Sequence, residues 1–370
     1  MKFSNWFGKK PAQSSLKNSK KEPQVSFTEQ ELKQQLFNGL KNISTIHFPI
    51  GVFGQVSIQI SKNEHSEHKA LISLPFHTHA VDQELRDALL NTLSRPVEII
   101  FNYQPSQPPA SLPKQAKLVI AVASGKGGVG KSTVTANLAA AAAQLGHKVG
   151  VIDADIYGPS MPLMFGLQGR HITSRDEKTM EPFYQYDVAL NSIGFLVPED
   201  KATIWRGPMA SRALMQLINE TNWPELDILF VDMPPGTGDI QLTLSEQIKC
   251  HAAVIVTTPQ NVALADAEKG IQMFQKVNTP VLGVVENMSQ FVCSNCGVSH
   301  HLFGAGGGER CATKHNVPLL AQLTLNTETR EHGDLGLPFS LKDKNFEYQK
   351  LAFSLIMHMS KQTQQLIPTI

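Results

Sequence analysis

Ser124-Gly125-Lys126-Gly127-Gly128-Val129-Gly130-Lys131-Ser132-Thr133 follows directly on the short apolar run Leu118–Val122. From Gly125 to Ser132 it fits the pattern G-x-x-x-x-G-K-[ST]. Glycines at 125, 127, 128 and 130 let backbone N–H groups turn inward around phosphate oxygens, where a Cβ would obstruct them. In such a loop Lys131 neutralises the β- and γ-phosphates and the Ser132 hydroxyl coordinates Mg²⁺. Val129 and Thr133 complete the nucleotide-binding stretch. The Ala- and Leu-rich segment Ser132–Leu145 predicts a helix whose positive end faces the phosphates. Strand, glycine loop and helix stand in the order a P-loop requires, so ATP and Mg²⁺ are the expected ligands.

Working outward, further β-branched runs recur at Val149–Ile152, Ile228–Val231, Ala253–Val256 and Val281–Val285, with helical stretches between them. Continuous apolar strands separated by helices predict an α/β fold, a doubly wound and mainly parallel sheet with ligands at the carboxyl ends of its strands. Two of those ends are acidic. Asp153 and Asp155 follow Val151-Ile152, and Asp232 closes Leu229-Phe230-Val231 ahead of Met233-Pro234-Pro235-Gly236.

Upstream, Thr28–Leu40 reads as a helix opened by a capping box of Thr28 and Glu31. Val56–Ile60, Lys69–Leu74 and Val97–Tyr103 read as strands and Val81–Leu93 as an amphipathic helix, so residues 27–103 form a small α+β domain. Pro105, Pro108, Pro109 and Pro113 make 104–116 an extended linker, and the P-loop domain runs over 117–370. Residues 1–26, with six lysines and one acid, Glu22, read as a solvated basic tail. His77 and His79 read as surface residues, a pair being too few ligands for a metal.

The chain has 370 residues, and 33 basic against 32 acidic side chains give it a net charge of +1, without the overall electrostatic footprint of a nucleic-acid or anionic-membrane binder. No apolar run approaches the ~18–20 residues of a membrane span, and Met1–Lys10 lacks the apolar core of a secretory signal. Four cysteines cannot build a disulfide framework. The expected location is the cytoplasm.

Cys293-Ser294-Asn295-Cys296 is a C-x-x-C after the last strong strand. Two thiolates at this spacing can grip a metal or a cluster edge, or form a redox disulfide; the latter is weakened because the motif opens no helix. A metal needs about four ligands. Cys311 and His315 could complete a zinc set in one chain, or a second chain could bring its own Cys293 and Cys296 across a two-fold axis. Cys311 and Cys250 otherwise read as small buried hydrophobes.

Lys126, five residues before Lys131, departs from a plain P-loop. With it, Gly125–Thr133 resembles the deviant P-loop of the MinD/ParA/nitrogenase iron protein superfamily. The resemblance implies that Lys126 reaches across a dimer interface to the partner's nucleotide, adding a cation in trans at the transition state. It implies that Asp155 orients or activates the attacking water, that Asp153 assists near Mg²⁺, and that Asp232 holds Mg²⁺ through water. Pro234-Pro235-Gly236 would sense the γ-phosphate, and Asn287 matches an adenine-contacting asparagine.

Gly125–Thr133, Asp153-Ala-Asp-Ile-Tyr-Gly-Pro-Ser160, Trp205-Arg-Gly-Pro-Met209, Asp232-Met-Pro-Pro-Gly-Thr-Gly-Asp239, Glu286-Asn-Met-Ser289 and Cys293-x-x-Cys296 occur in this order. Together they resemble the Mrp/ApbC family of iron–sulfur cluster carrier ATPases, from about Lys117 to the C-terminus. Residues 27–103 resemble, less closely, that family's N-terminal domain. The resemblance implies a homodimer whose two C-x-x-C pairs bridge a labile [4Fe-4S] cluster, received from scaffold proteins and passed in an ATP-dependent way to apo-proteins. Neither nucleic acid nor stable membrane association is expected.

The competing reading is a spatial-organisation ATPase of the MinD/ParA type that binds membrane or DNA. It calls for a basic amphipathic C-terminal helix or a basic DNA-facing patch. The helix expected over Asn345–Lys361 has only Lys350 and Lys361 as full cations. A nitrogenase-type reductase would need its two cysteines on separate loops.

Overall fold

Thr28 opens the first helix, α1 (Glu29–Asn42), through the reciprocal bonds of a capping box: its Oγ1 accepts from the Glu31 N–H at 3.3 Å and its own N–H donates to Glu31 Oε2 at 2.8 Å. Strands β1 (Ser57–Lys62) and β2 (His68–Leu74) pair antiparallel, α2 (Asp82–Leu90) crosses over, and β3 (Glu98–Tyr103) returns parallel to β2. This is the small unit the periodicity predicts, with element ends shifted by at most three residues.

The computed structural model describes residues 28–62, 68–105, 113–176, 178–196, 207–343 and 346–366. The basic tail 1–26, most of the proline-rich segment, and Trp205 and Arg206 lie outside the described residues.

The larger sheet begins with β4 (Ala116–Ala123), followed by α3 (Lys131–Gln144), β5 (Val149–Asp153), α4 (Met161–Met164), β6 (Phe183–Gln185), β7 (Val188–Ser192), α5 (Gly207–Asn219), β8 (Leu226–Asp232), α6 (Asp239–Ile248), β9 (Ala252–Thr257), α7 (Asn261–Lys276) and β10 (Val281–Glu286). A hairpin of β11 (Phe291–Val292) and β12 (Ser299–His300) comes next, then α8 (Gly307–Lys314), β13 (Leu319–Gln322), α9 (Thr327–Asp334) and α10 (Glu347–Leu366). The strand order is β13-β10-β9-β4-β8-β5-β7-β6, with every pair parallel except β6–β7.

Strand alternation divides the interior in two. Leu118, Ile120 and Val122 of β4, with Ile228 and Phe230 of β8, enter a core shared with α3, α10 and the N-terminal sheet. Val119, Ala121 and Ala123, with Leu229 and Val231, enter a second core under α5, α6, α7 and α8. Both faces of the sheet are therefore covered, and the doubly wound α/β expectation holds. Among the described residues no helix is long and apolar enough to cross a membrane.

The N-terminal unit is fastened to the larger sheet through α10. Phe353 packs at 4.8 Å on Phe48 and at 5.0 Å, edge-on, to Phe76. Phe53 meets the edge of His358 at 4.8 Å. Burial holds the His358 imidazole below its ordinary 6.5, against a smaller upward pull from its bond to the Ser354 carbonyl. The unfolded chain therefore binds a proton at this residue at a higher pH than the fold does. The contribution to stability is present above about 6.5 and is lost as pH falls below it. We expect the urea midpoint to drop between about pH 7.5 and 5, and His358→Gln to flatten part of that slope.

Candidate functional site

The loop between β4 and α3 is shaped by its glycines. Gly128 and Gly130 have φ of +82° and +80°, in the left-handed region that favours glycine. At Gly125 the constraint is close approach, since a Cβ there would lie 1.9 Å from the Asp266 carbonyl oxygen of α7. Gly125→Ala must push the loop off α7, and a loss of about 3 kcal/mol is expected from chemical denaturation.

At the start of α3, Lys131 is 6% exposed and its Nζ lies 2.7 Å from Asp232 Oδ2 at the end of β8, which is fully buried. Ser132 Oγ donates to the same oxygen at 2.6 Å, and Thr135 Oγ1 lies 2.7 Å from Oδ1. Thr135 carries no motif signal in the sequence, although it sits one helical turn after Lys131 and so on the same face. Ser132 and Asp232 together offer hard oxygen donors of the kind Mg²⁺ takes.

Asp153 is the register partner of Asp232 on the neighbouring strand. Its carboxylate accepts from the N–H of Asp155 and Met161 at 3.2 and 3.0 Å and from Ser192 Oγ at 3.0 Å. Burial, first, and the facing Asp232 charge hold its pKa above the usual carboxylate range. Asp155 is 8% exposed, and its Oδ1 has no hydrogen-bond partner among the described residues. Burial raises its pKa, while Lys131 pulls it down. Asp155, Lys126, Lys131, Ser132 and Pro235 line one cavity of about 190 Å³.

Gly236 donates its N–H to the Ser124 carbonyl at 2.9 Å, and Gln241 Nε2 bonds the Pro235 carbonyl, so the Pro-Pro-Gly turn rests on the loop. Asn287, just past β10, donates Nδ2–H to the Val129 carbonyl at 2.9 Å. A second cavity of about 320 Å³ opens beside Gly130 and Thr133, with Asn137, Leu163, Asn287 and Arg330 among its lining. Lys126 is exposed on the loop, and its backbone carbonyl accepts from Ser124 Oγ at 2.9 Å.

Cys293 and Cys296 sit in the turn of the β11–β12 hairpin, half-buried and exposed. The turn closes through Cys293 N–H to the Val298 carbonyl at 3.0 Å and Gly297 N–H to the Cys293 carbonyl at 2.8 Å, with Gly297 at φ +70°. Backbone N–H groups of Asn295 and Cys296 lower the Cys293 thiol's pKa, which favours the ligating thiolate. Burial does the opposite at Cys250 and Cys311, pushing them up to about 12 and about 11. Cys311 lies in the second core, and among the described residues Cys311 and His315 do not gather with the hairpin cysteines into a group of three or more ligand atoms.

The arrangement combines a phosphate-binding loop, three acids at adjoining strand ends and a displayed dithiol. A family model described as the NUBPL iron-transfer P-loop NTPase of the ParA group matches residues 115–360. An iron–sulfur cluster carrier protein of Pseudomonas fragi is 52% identical over 266 residues, which are 70% of this chain and 93% of that one. One of the same description from Haemophilus influenzae is 58% identical over 225 residues, and the match spans 61% of each chain. That from Escherichia coli K12 is 55% identical over 232 residues, so the chain covers less than two thirds of the length of these last two relatives. Among solved structures, an Archaeoglobus fulgidus nucleotide-binding protein in complex with ADP superposes with a TM-score of 0.56 at 39% identity, covering 63% of this chain and 92% of that one. The chain belongs to the NUBPL iron-transfer P-loop NTPase family.

Proposed function

We propose that this protein is an ATP-hydrolysing carrier of iron–sulfur clusters, acting as a homodimer in the cytoplasm and delivering a [4Fe-4S] cluster to apo-proteins. The observation that carries the reading is the adjacency of the two sites. Asn287, bonded to the phosphate loop, is six residues from Cys293 on the exposed hairpin.

Without nucleotide, the Lys131 charge rests on Asp232. The polyphosphate of ATP is a stronger anionic partner, so binding draws Lys131 off the carboxylate and onto the β- and γ-phosphates. Asp232 and Ser132 would then hold Mg²⁺, which supplies neutralisation of the phosphate oxygens. The cavity beside Gly130 takes the nucleoside, with Asn287 at its edge. Asp155, with one buried oxygen free and a raised pKa, is a better proton acceptor than an ordinary aspartate and orients the attacking water. Asp153, anchored by three donors, fixes the strand end that presents it. Lys126, exposed on the loop, reaches the nucleotide of a second copy.

The cluster is cargo. Two thiolates per chain leave a cubane half-ligated, and a second copy supplies the other two. Val292, Val298 and Leu302 are exposed around the cysteines and give the hairpins an apolar surface to meet on. The last helix favours this reading over a membrane-bound one, because Leu351, Phe353, Leu355 and Ile356 of α10 are buried in the core. Anaerobic reconstitution with iron and sulfide, followed by metal analysis and sedimentation, should give about two iron and two sulfide per chain in a dimer. Absence of iron and sulfide, or a cluster-free monomer, would overturn the proposal.

A further inference from the structure

Opposite the nucleotide site, at the amino ends of β5 and β8, two imidazoles and a carboxylate converge. His147 lies in the turn between α3 and β5, Asp227 is the second residue of β8, and His77 follows β2 in the N-terminal unit. One ligand atom from each lies within 4.8 Å of the other two. The rings of His77 and His147 are 4.8 Å apart and steeply tilted to each other, at 68°, and His77 Nε2 is 3.9 Å from Asp227 Oδ2. Gly146, at φ +93°, makes the left-handed turn that brings His147 to His77.

We propose that His77, His147 and Asp227 form a binding site for a zinc-type divalent metal that joins the N-terminal sheet to the P-loop sheet. His147 argues most directly for a missing partner. It is 5% exposed, yet neither ring nitrogen has a hydrogen-bond partner among the described residues. A neutral imidazole always carries one N–H donor and one lone pair, and burying both unsatisfied costs about 1–3 kcal/mol each. A metal on one nitrogen uses the lone pair.

The set has the right chemistry. Two imidazole nitrogens and one carboxylate oxygen are zinc ligands, with a fourth position for water. Tetrahedral zinc at ~2.0–2.2 Å from its ligands sets the donor atoms about 3.3 Å apart, so the cluster closes by small side-chain rotations. Asp227 is held in place on both oxygens, since Lys117 Nζ bonds Oδ1 at 2.8 Å and the Lys148 N–H bonds Oδ2 at 2.9 Å. The Lys117 ion pair accounts for the carboxylate but not for two histidines turned toward it. Tyr103 lies against His77, with ring centroids 3.8 Å apart and a 31° tilt, and is hydrogen-bonded to Asp227, so it orients both neighbouring ligands. The site is separate from nucleotide chemistry, since Asp227 and Asp232 occupy opposite ends of β8, about 17 Å apart at strand spacing.

The test uses full-length protein carrying Cys293→Ala and Cys296→Ala, stripped with a chelator and dialysed against micromolar zinc chloride. Atomic emission should find one zinc per chain, and the thermal midpoint should rise with zinc. In the same background His77→Ala, at the more accessible ligand, should weaken zinc binding by more than about 10-fold and remove the thermal shift, while His79→Ala, exposed nearby, should change neither. His147→Ala should behave as His77→Ala does; if it fails to fold, His77→Ala still decides. Absence of zinc uptake, or uptake unchanged by His77→Ala, would refute the site whatever becomes of the cluster-carrier reading.

Discussion

Replacing Lys131 with alanine is expected to lower ATP turnover by about 10²–10³-fold, the scale seen when one preorganised charge is removed from a developing transition state. The same substitution has a second, opposite-looking signature in the nucleotide-free protein. Asp232 is fully buried, and Lys131 is the cation 2.7 Å from it. Removing the lysine strands a carboxylate in the core, a loss of about 3–5 kcal/mol by chemical denaturation. Ser132 and Thr135 still bond the carboxylate and hold the loss to that range. Adding Asp232→Asn removes the stranded charge. The double variant should therefore recover most of the stability and none of the activity. Equal stability of wild type and Lys131→Ala, or measurable rescue of turnover in the double variant, would refute this assignment.

Cysteine substitution should separate cargo from engine. Cys293→Ala and Cys296→Ala each remove one of the two thiolates that a chain contributes, and reconstituted iron should fall nearly to background in either. ATP turnover should survive within about 3-fold, because neither cysteine lines the cavities around the loop. Cys250→Ala and Cys311→Ala should leave iron content unchanged. Their thiols are buried and their pKa values are raised, whereas the Cys293 thiol is lowered by backbone donors. Iron retained at wild-type level in both hairpin variants would move the cluster elsewhere.

Much of this molecule is legible before its structure, wherever the signal is local. Capping of α1 needs only Thr28 and Glu31, and the loop after β4 is written in consecutive residues. The buried parallel strands announce themselves as unbroken apolar runs, with Asp153 and Asp232 at their ends. Strands β6 and β13 escape because they are three and four residues long at the sheet edges, and β7 because Val188-Ala-Leu-Asn-Ser192 holds a single β-branched residue and ends in polar ones. Thr135, Ser192 and Gln241 escape because their roles depend on which carboxylate or carbonyl the fold brings to them. His77 is the sharpest correction. Sequence proximity pairs it with His79 as a surface residue, but the fold half-buries it and turns it toward His147 and Asp227, which come from elements far apart in the chain.

The Asn287 bond ties the phosphate loop to the stretch of chain that leads, six residues on, to Cys293. Binding free energies are reciprocal, so whatever factor nucleotide imposes on the grip of the hairpin, cargo imposes the same factor on the grip of the loop. Any coupling through this stretch cannot run one way only, with ATP commanding and the cluster obeying. On the proposed reading, if ATP changes how tightly Cys293 and Cys296 hold a cluster, a loaded protein must bind ATP with an affinity changed by that same factor.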